Sequence, residues 1–147
     1  MGGASFSEFL KRSLAVIARD VPRLHLRLAA HLRERPVRVA VELDVVDIIS
    51  DGERLELRAA DGPPPAVRLR TDSAAILRLV DGERSLEDAV IFDEIELFGA
   101  PVDLVHFHES LVLYLQAAVR CPALVRLLRE FRAATLTATR SGDERHD

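Results

Sequence analysis

The chain has 147 residues, of which 48% are hydrophobic and 30% charged, and its formal net charge is -4. A domain of this size buries about 70% of the surface its unfolded chain exposes, so it needs no disulfide or metal to stand, and its composition argues against wholesale disorder. The single cysteine, Cys121, excludes an internal disulfide and paired-cysteine metal motifs, and no run approaches the ~18 uncharged apolar residues of a membrane-spanning helix.

The net charge hides a gradient. Residues 1–40 carry eight basic and three acidic side chains, residues 41–110 six and seventeen, and residues 111–147 six and four. An acidic middle between basic ends does not suit a nucleic-acid binder, which wants one broad basic face. The basic ends either pack against the middle or meet an anionic membrane surface. Charged residues at Glu8, Lys11, Arg12, Arg19 and Asp20 interrupt every apolar run a signal peptide would need. The expectation is an intracellular, cytoplasmic chain.

In chain order, residues 5–20 place Phe6, Phe9, Leu10, Leu14 and Ile17 at helical spacing, with Ser5 or Ser7 as N-cap. A second helix is expected from Pro22 to about Arg35 on Leu24, Leu28 and Leu32, although Leu24, Leu26 and Leu28 also alternate as in a strand. From Val37 the period changes to two, with Val39, Val41, Leu43 and Val45 on one side, ending at the Asp51-Gly52 hairpin signal. Leu55, Leu57 and Ala59 make the return strand, and Val67 and Leu69 a third. Thr71 or Asp72 caps a helix stopped by Asp81-Gly82, and Ser85 with Asp88 opens a short apolar helix. Ile95 and Leu97 form a fourth strand. A long helix runs from Pro101 to about Arg120, and a last one from about Ala123 to Thr137.

The middle of the chain carries an ordered set of motifs. Val67-Arg68-Leu69-Arg70-Thr71-Asp72 is followed by Ile76-Leu77-Arg78-Leu79-Val80-Asp81-Gly82, then Ala89-Val90-Ile91-Phe92 and Ile95-Glu96-Leu97-Phe98-Gly99. This set, over roughly residues 37–105, resembles the sterol carrier protein 2 (SCP2) domain. Asp93 stands near the place where that family usually has glycine. The resemblance implies an α+β fold: a curved, mostly antiparallel sheet of about four to five strands, covered by helices, with extra helices at both ends. Residues 1–36 would be N-terminal amphipathic helices packed on the core, 37–139 the SCP2-like domain with its C-terminal helices, and 140–147 a flexible tail, all in one globular unit.

The resemblance also implies an apolar cavity between sheet and helices that binds or transfers a lipid, fatty acid, sterol-like or quinone-like ligand without catalysis or a cofactor. At about 0.8 kcal/mol per buried methylene, a sixteen-carbon chain gains about 13 kcal/mol on leaving water, about what a bilayer offers. The residues expected to line such a cavity are Ile76, Leu79, Val80, Val90, Phe92, Leu97, Phe107, Leu111 and Leu115.

Residues 111–119 are apolar nearly all round, as in a helix buried on every side, a cavity wall or a homodimer interface. The basic N-terminal helices either cover the core or make peripheral membrane contact. An interaction module without a working cavity, such as an accessory factor of a lipid or quinone biosynthetic pathway, is the alternative reading. A small enzyme using His106, His108 or Glu109 is a third.

Polar chemistry is thinly organised. His106 and His108 diverge by about 200° on a helix of 3.6 residues per turn, so they do not share a metal. Asp103 and Glu109 each lie three residues from His106, but a solvated helix face explains them, and no metal is expected. His25 and His31 are six apart and off one face. Cys121 reads as buried and inert. The acidic residues Glu42, Asp44, Asp47, Glu53, Glu56, Glu94 and Glu96 read as one face of the sheet, solvated or covered by a helix. No phosphate-binding glycine loop and no Gly-x-Ser-x-Gly elbow occurs.

Overall fold

A computed structural model describes residues 5–144, with side chains to Thr137. The elements run α1 (Phe6–Asp20), α2 (Pro22–His31), β1 (Val37–Val41), β2 (Asp44–Ser50), β3 (Leu55–Ala59), β4 (Val67–Thr71), α3 (Ser73–Val80), α4 (Leu86–Ile91), β5 (Glu96–Phe98), α5 (Pro101–Arg120) and α6 (Pro122–Glu144). The strands form one sheet of order β3-β2-β1-β4-β5. It is mixed: β1 pairs with β4 in parallel and the other neighbours are antiparallel.

The helix starts follow from local chemistry. Ser5 accepts a hydrogen bond from the Glu8 N–H at the start of α1, Asp72 from Ala75 at α3 and Ser85 from Asp88 at α4, each satisfying a donor that the first helical turn leaves free. Pro22, Pro101 and Pro122 each stand at a first helical position, where a missing N–H costs nothing. Gly82, at φ +75°, ends the turn after α3. Helix α2 stops at His31, short of Arg35, and its helical state settles the strand alternative for Leu24–Leu28. Helix α6 extends beyond Thr137 to Glu144, into the stretch read as a tail; residues 145–147 lie outside the described part.

One difference from the sequence reading changes the topology. The alternating stretch from Val37 to Ile49 is two strands, folded at Glu42-Leu43. Val41 pairs with Asp44 and Val39 with Val46. This two-residue turn shifts the phase, so Val37, Val39, Val41 and Val46 face the helices and are buried, while Leu43 is fully exposed and Val45 is 41% exposed. Glu42 carries the turn at φ +57°, a conformation that costs a non-glycine residue about 1–2 kcal/mol. Its position is held from two sides: its N–H donates to the Thr71 carbonyl at 3.1 Å and its Oε1 accepts from the Ser73 N–H at 2.9 Å. The second hairpin, at Asp51-Gly52, matches its signal. Gly52 has φ +97° and the Asp51 carboxylate accepts from the Glu53 and Arg54 N–H groups at 2.8 Å.

The acidic sheet residues divide between both faces. Asp47 forms a bidentate cross-strand pair with Arg38 on the outer face, at 2.8 and 3.0 Å. Asp44 points to the covered face and accepts from the Ser7 N–H at 2.8 Å, seating α1 on β2. Glu94 lies in the loop before β5, where it pairs with Arg84 at 3.0 Å and Arg78 at 3.6 Å.

Two large apolar clusters stack beneath the helices, and a small third joins Ala75, Ala89 and Ile95. One joins the helix-facing side of the sheet to Leu10, Leu32 and Phe107. The other lies among α1, α2, α5 and α6 around Phe9, Ile17, Leu124 and Phe131. Helices α1 and α2 therefore bury their apolar faces within the fold, and Arg12 and Arg19 of α1 pair with Glu130 and Asp20. Among the described residues no single helix is long and apolar enough to cross a membrane, and α5 and α6 meet at 99°.

Candidate functional site

Between the sheet and the helices lies an apolar pocket of about 140 Å³. Its walls come from distant parts of the chain: Phe6, Phe9, Leu10 and Leu14 of α1, Leu28 of α2 and Leu32 just after it, Val37, Val39 and Ile48 of the inner sheet face, and residues of α3 and α5. Leu14 and Leu55 are shared with a groove between α1 and β3 that also carries Lys11, His25 and Glu53.

Three hydroxyl side chains reach the pocket, and each is already engaged. Thr71 donates to the Glu94 carbonyl at 2.9 Å and Ser110 to the His106 carbonyl at 2.8 Å. The Tyr114 hydroxyl donates to Ser13 Oγ at 2.9 Å, which in turn donates to the Leu10 carbonyl at 2.8 Å. The hydroxyl protons are thus all committed within the protein, and the rest of the lining is hydrocarbon, a surface that offers shape and apolar area rather than directed donors.

Burial pushes Tyr114 up from its usual 10 to about 12, the hydrogen bond with Ser13 offsetting part of the effect. Tyr114 is the single tyrosine and the chain has no tryptophan, so phenolate absorbance reports this pocket wall alone. The expected alkaline titration has its midpoint near 12 in the folded protein and near 10 in denaturant. Because the native state holds the proton more tightly, this group's contribution to stability is full below pH 10 and is lost between pH 10 and about 12.

Six of the nine residues expected to line a cavity converge here: Ile76, Leu79 and Val80 from α3, and Phe107, Leu111 and Leu115 from α5. The other three lie elsewhere. Val90 and Leu97 line a surface groove with Leu104 and Val105, and Phe92 is 61% exposed beneath the Arg84 guanidinium. For Val90 and Phe92 the reason is that α4 turns Leu86 and Ala89 inward, leaving Val90, Ile91 and the following Phe92 facing out; Leu97, on the edge strand β5, packs at the rim of the core beside Leu104. The walls supplied by α1 and α2 are not among the nine; their amphipathic pattern is legible, but what their apolar faces cover is not.

The polar candidates separate in the same way. Asp103 pairs with Arg35 at 3.4 Å. His108 is exposed, and His25 is half-buried in the α1–β3 groove, where burial lowers its pKa. Cys121 is 2% exposed and its Sγ donates to Asp20 Oδ2 at 3.4 Å. Burial, with the neighbouring carboxylate, raises the thiol's pKa, so it stays protonated at neutral pH and is a poor nucleophile. His31, from α2, meets His106 and Glu109 of α5 with one ligand atom of each lying within 4.8 Å of the others.

No protein-family model and no curated protein matches the sequence. Solved structures do match the fold. The UbiJ-SCP2 ubiquinone synthesis protein superposes with a TM-score of 0.55 at 14% identity, over 74% of this chain and 87% of that one. The sterol carrier protein domain 2 of Helicoverpa armigera gives 0.51 at 15% identity, over 76% and 86%. Sterol carrier protein 2 of Yarrowia lipolytica, in its apo form, gives 0.51 at 8% identity, over 78% and 94%. The chain has the sterol carrier protein 2 fold.

Within the SCP2 fold, this chain's departure at Asp93 has a plain backbone reason. Asp93 sits at φ +59°, the left-handed region that glycine enters freely and aspartate enters more readily than most side chains. The turn from α4 into β5 is thereby kept with a different residue. The sheet has the five strands expected at the upper bound, and it is mixed through the β1–β4 pair.

Proposed function

We propose that this protein binds a lipid or similar apolar molecule in the pocket between sheet and helices and carries it without chemical change. The observation that supports the reading is the pocket itself, walled by hydrocarbon from α1, α2, the sheet, α3 and α5, with every lining hydroxyl already hydrogen-bonded.

Size bears on what enters. An engineered apolar cavity of about 150 Å³ accepts benzene, so a pocket of about 140 Å³ takes a piece of about six carbons. At about 0.8 kcal/mol per methylene this gains about 5 kcal/mol, well below the ~13 kcal/mol of a buried sixteen-carbon chain. A full acyl or isoprenoid chain therefore requires the half-buried walls Ile76, Leu79, Leu111 and Leu115 to move apart, or it leaves part of its length outside. The name of the UbiJ-SCP2 protein sets that neighbour in ubiquinone synthesis, which makes a quinone-like molecule one cargo to test alongside fatty acids and sterols.

The test is native mass spectrometry of the purified protein followed by organic extraction and mass spectrometry of the extract. The expected result is a stoichiometric apolar molecule that leaves on extraction and rebinds when added back. A protein that is free of ligand and takes up no fatty acid, sterol or quinone would overturn the reading.

A specific observation favours a second reading, an interaction module. Val102, Val105, Val112 and Val119 form an exposed stripe on the outer side of α5, between 41% and 83% exposed. The same native spectra distinguish it, as a ligand-free dimer.

A further inference from the structure

We infer that the seam between α2 and α5 is a divalent transition-metal site of the zinc class, with His31, His106 and Glu109 as its ligands. The three come from two helices and are 78 residues apart at their extremes, yet their ligand atoms all lie within 4.8 Å of one another. His31 Nδ1 and Glu109 Oε2 are already 3.3 Å apart. A tetrahedral zinc ion with bonds of about 2.0–2.1 Å holds its ligand atoms about 3.3 Å from each other. One edge of the coordination shell is therefore at its final length, and the remaining closure is about 1.5 Å by side-chain rotation of His106.

Three further observations point to a cation. The Nδ1 of His106 is buried and has no hydrogen-bond partner, an arrangement that costs free energy until something satisfies the nitrogen. His31 is the last residue of α2, where the free carbonyls give the helix end a negative partial charge. Arg35, four residues after His31, pairs with Asp103 at 3.4 Å, and no arginine or lysine pairs with Glu109 among the described residues. Two imidazoles and one carboxylate suit zinc, cobalt or nickel rather than magnesium or calcium, and three protein ligands leave the fourth position to water.

The site stands apart from lipid binding in its chemistry but shares its helices. Leu28 lies one turn before His31, and Phe107 follows His106; both line the pocket. A bound ion would tie the end of α2 to the first half of α5 across one wall.

The experiment uses the full chain without an affinity tag, stripped with chelator and titrated with zinc against a chromophoric chelator, with cobalt as a spectroscopic probe. One ion per chain is expected, with visible cobalt bands of a nitrogen–oxygen ligand set. His31→Ala and Glu109→Gln, both near the surface, should each weaken binding at least about 100-fold, beyond the 10–100-fold typical of losing a supporting partner. His108→Ala, about 200° round α5 from His106 and exposed, should leave it unchanged. Circular dichroism checks that each variant is folded. Absence of stoichiometric zinc uptake, or uptake that survives both ligand substitutions, would overturn the assignment. Neither outcome depends on whether a lipid binds.

Discussion

Leu111→Trp should abolish the binding of an apolar fluorescent probe, such as a conjugated polyene fatty acid, while the protein stays folded. Leu111 projects from α5 into the pocket opposite the sheet, and an indole there occupies space that the ligand needs. If six carbons contribute about 5 kcal/mol, their complete exclusion lowers affinity by about three orders of magnitude. Rearrangement of the half-buried walls will recover part of this, so a loss of at least about tenfold is the expected minimum. Overpacking costs about 1–3 kcal/mol, which a domain with about 5–15 kcal/mol of stability tolerates. Val112→Trp, one residue along and 41% exposed, should bind as the unaltered protein does. If both variants bound the probe equally, the pocket would not be the site.

Phe131→Ala should be the most destabilising single change in the helical layer, by about 3–5 kcal/mol. Phe131 is 2% exposed, stacks on Phe9 with ring centroids 4.8 Å apart and meets Phe6 edge-on at 6.2 Å. Removing it opens a hole between α1 and α6, and the phenyl groups left behind lose their aromatic partner. For a domain near 150 residues this lowers the melting temperature by about 10 °C. The nearby Arg12–Glu130 ion pair links the same two helices, but its side chains are 46% and 56% exposed, and such pairs contribute little. A drop of only 1–2 °C on thermal melting would mean that α6 is not an integral wall of the core.

Ser5, Asp72 and Ser85 announce helices because a capping side chain bonds to an N–H three residues away, within a stretch of sequence that can be read directly. Asp51-Gly52 announces a hairpin for the same reason. The turn at Glu42-Leu43 gives no such sign. Neither residue favours a turn, and Glu42 is held at positive φ by the Thr71 carbonyl and the Ser73 N–H, both about thirty residues on. Read locally, Val37 to Val45 is therefore one uniform alternation.

The helices, the side-chain caps of α1, α3 and α4, the apolar faces and the ordered motifs of an SCP2-like core are legible from residue order, since each depends on periodicity or on a contact within a few residues. Which apolar faces meet is set by the packed fold. It paired β1 with β4 in parallel and set α1 and α2 over the sheet as pocket walls. It turned Val90 and Phe92 outward, left Leu97 at the sheet edge beyond the pocket wall, and carried His31 to His106 and Glu109. The physical reason is common to all four: burial is non-directional and proportional to area, so a pattern states that a side chain leaves water without stating which neighbour it meets.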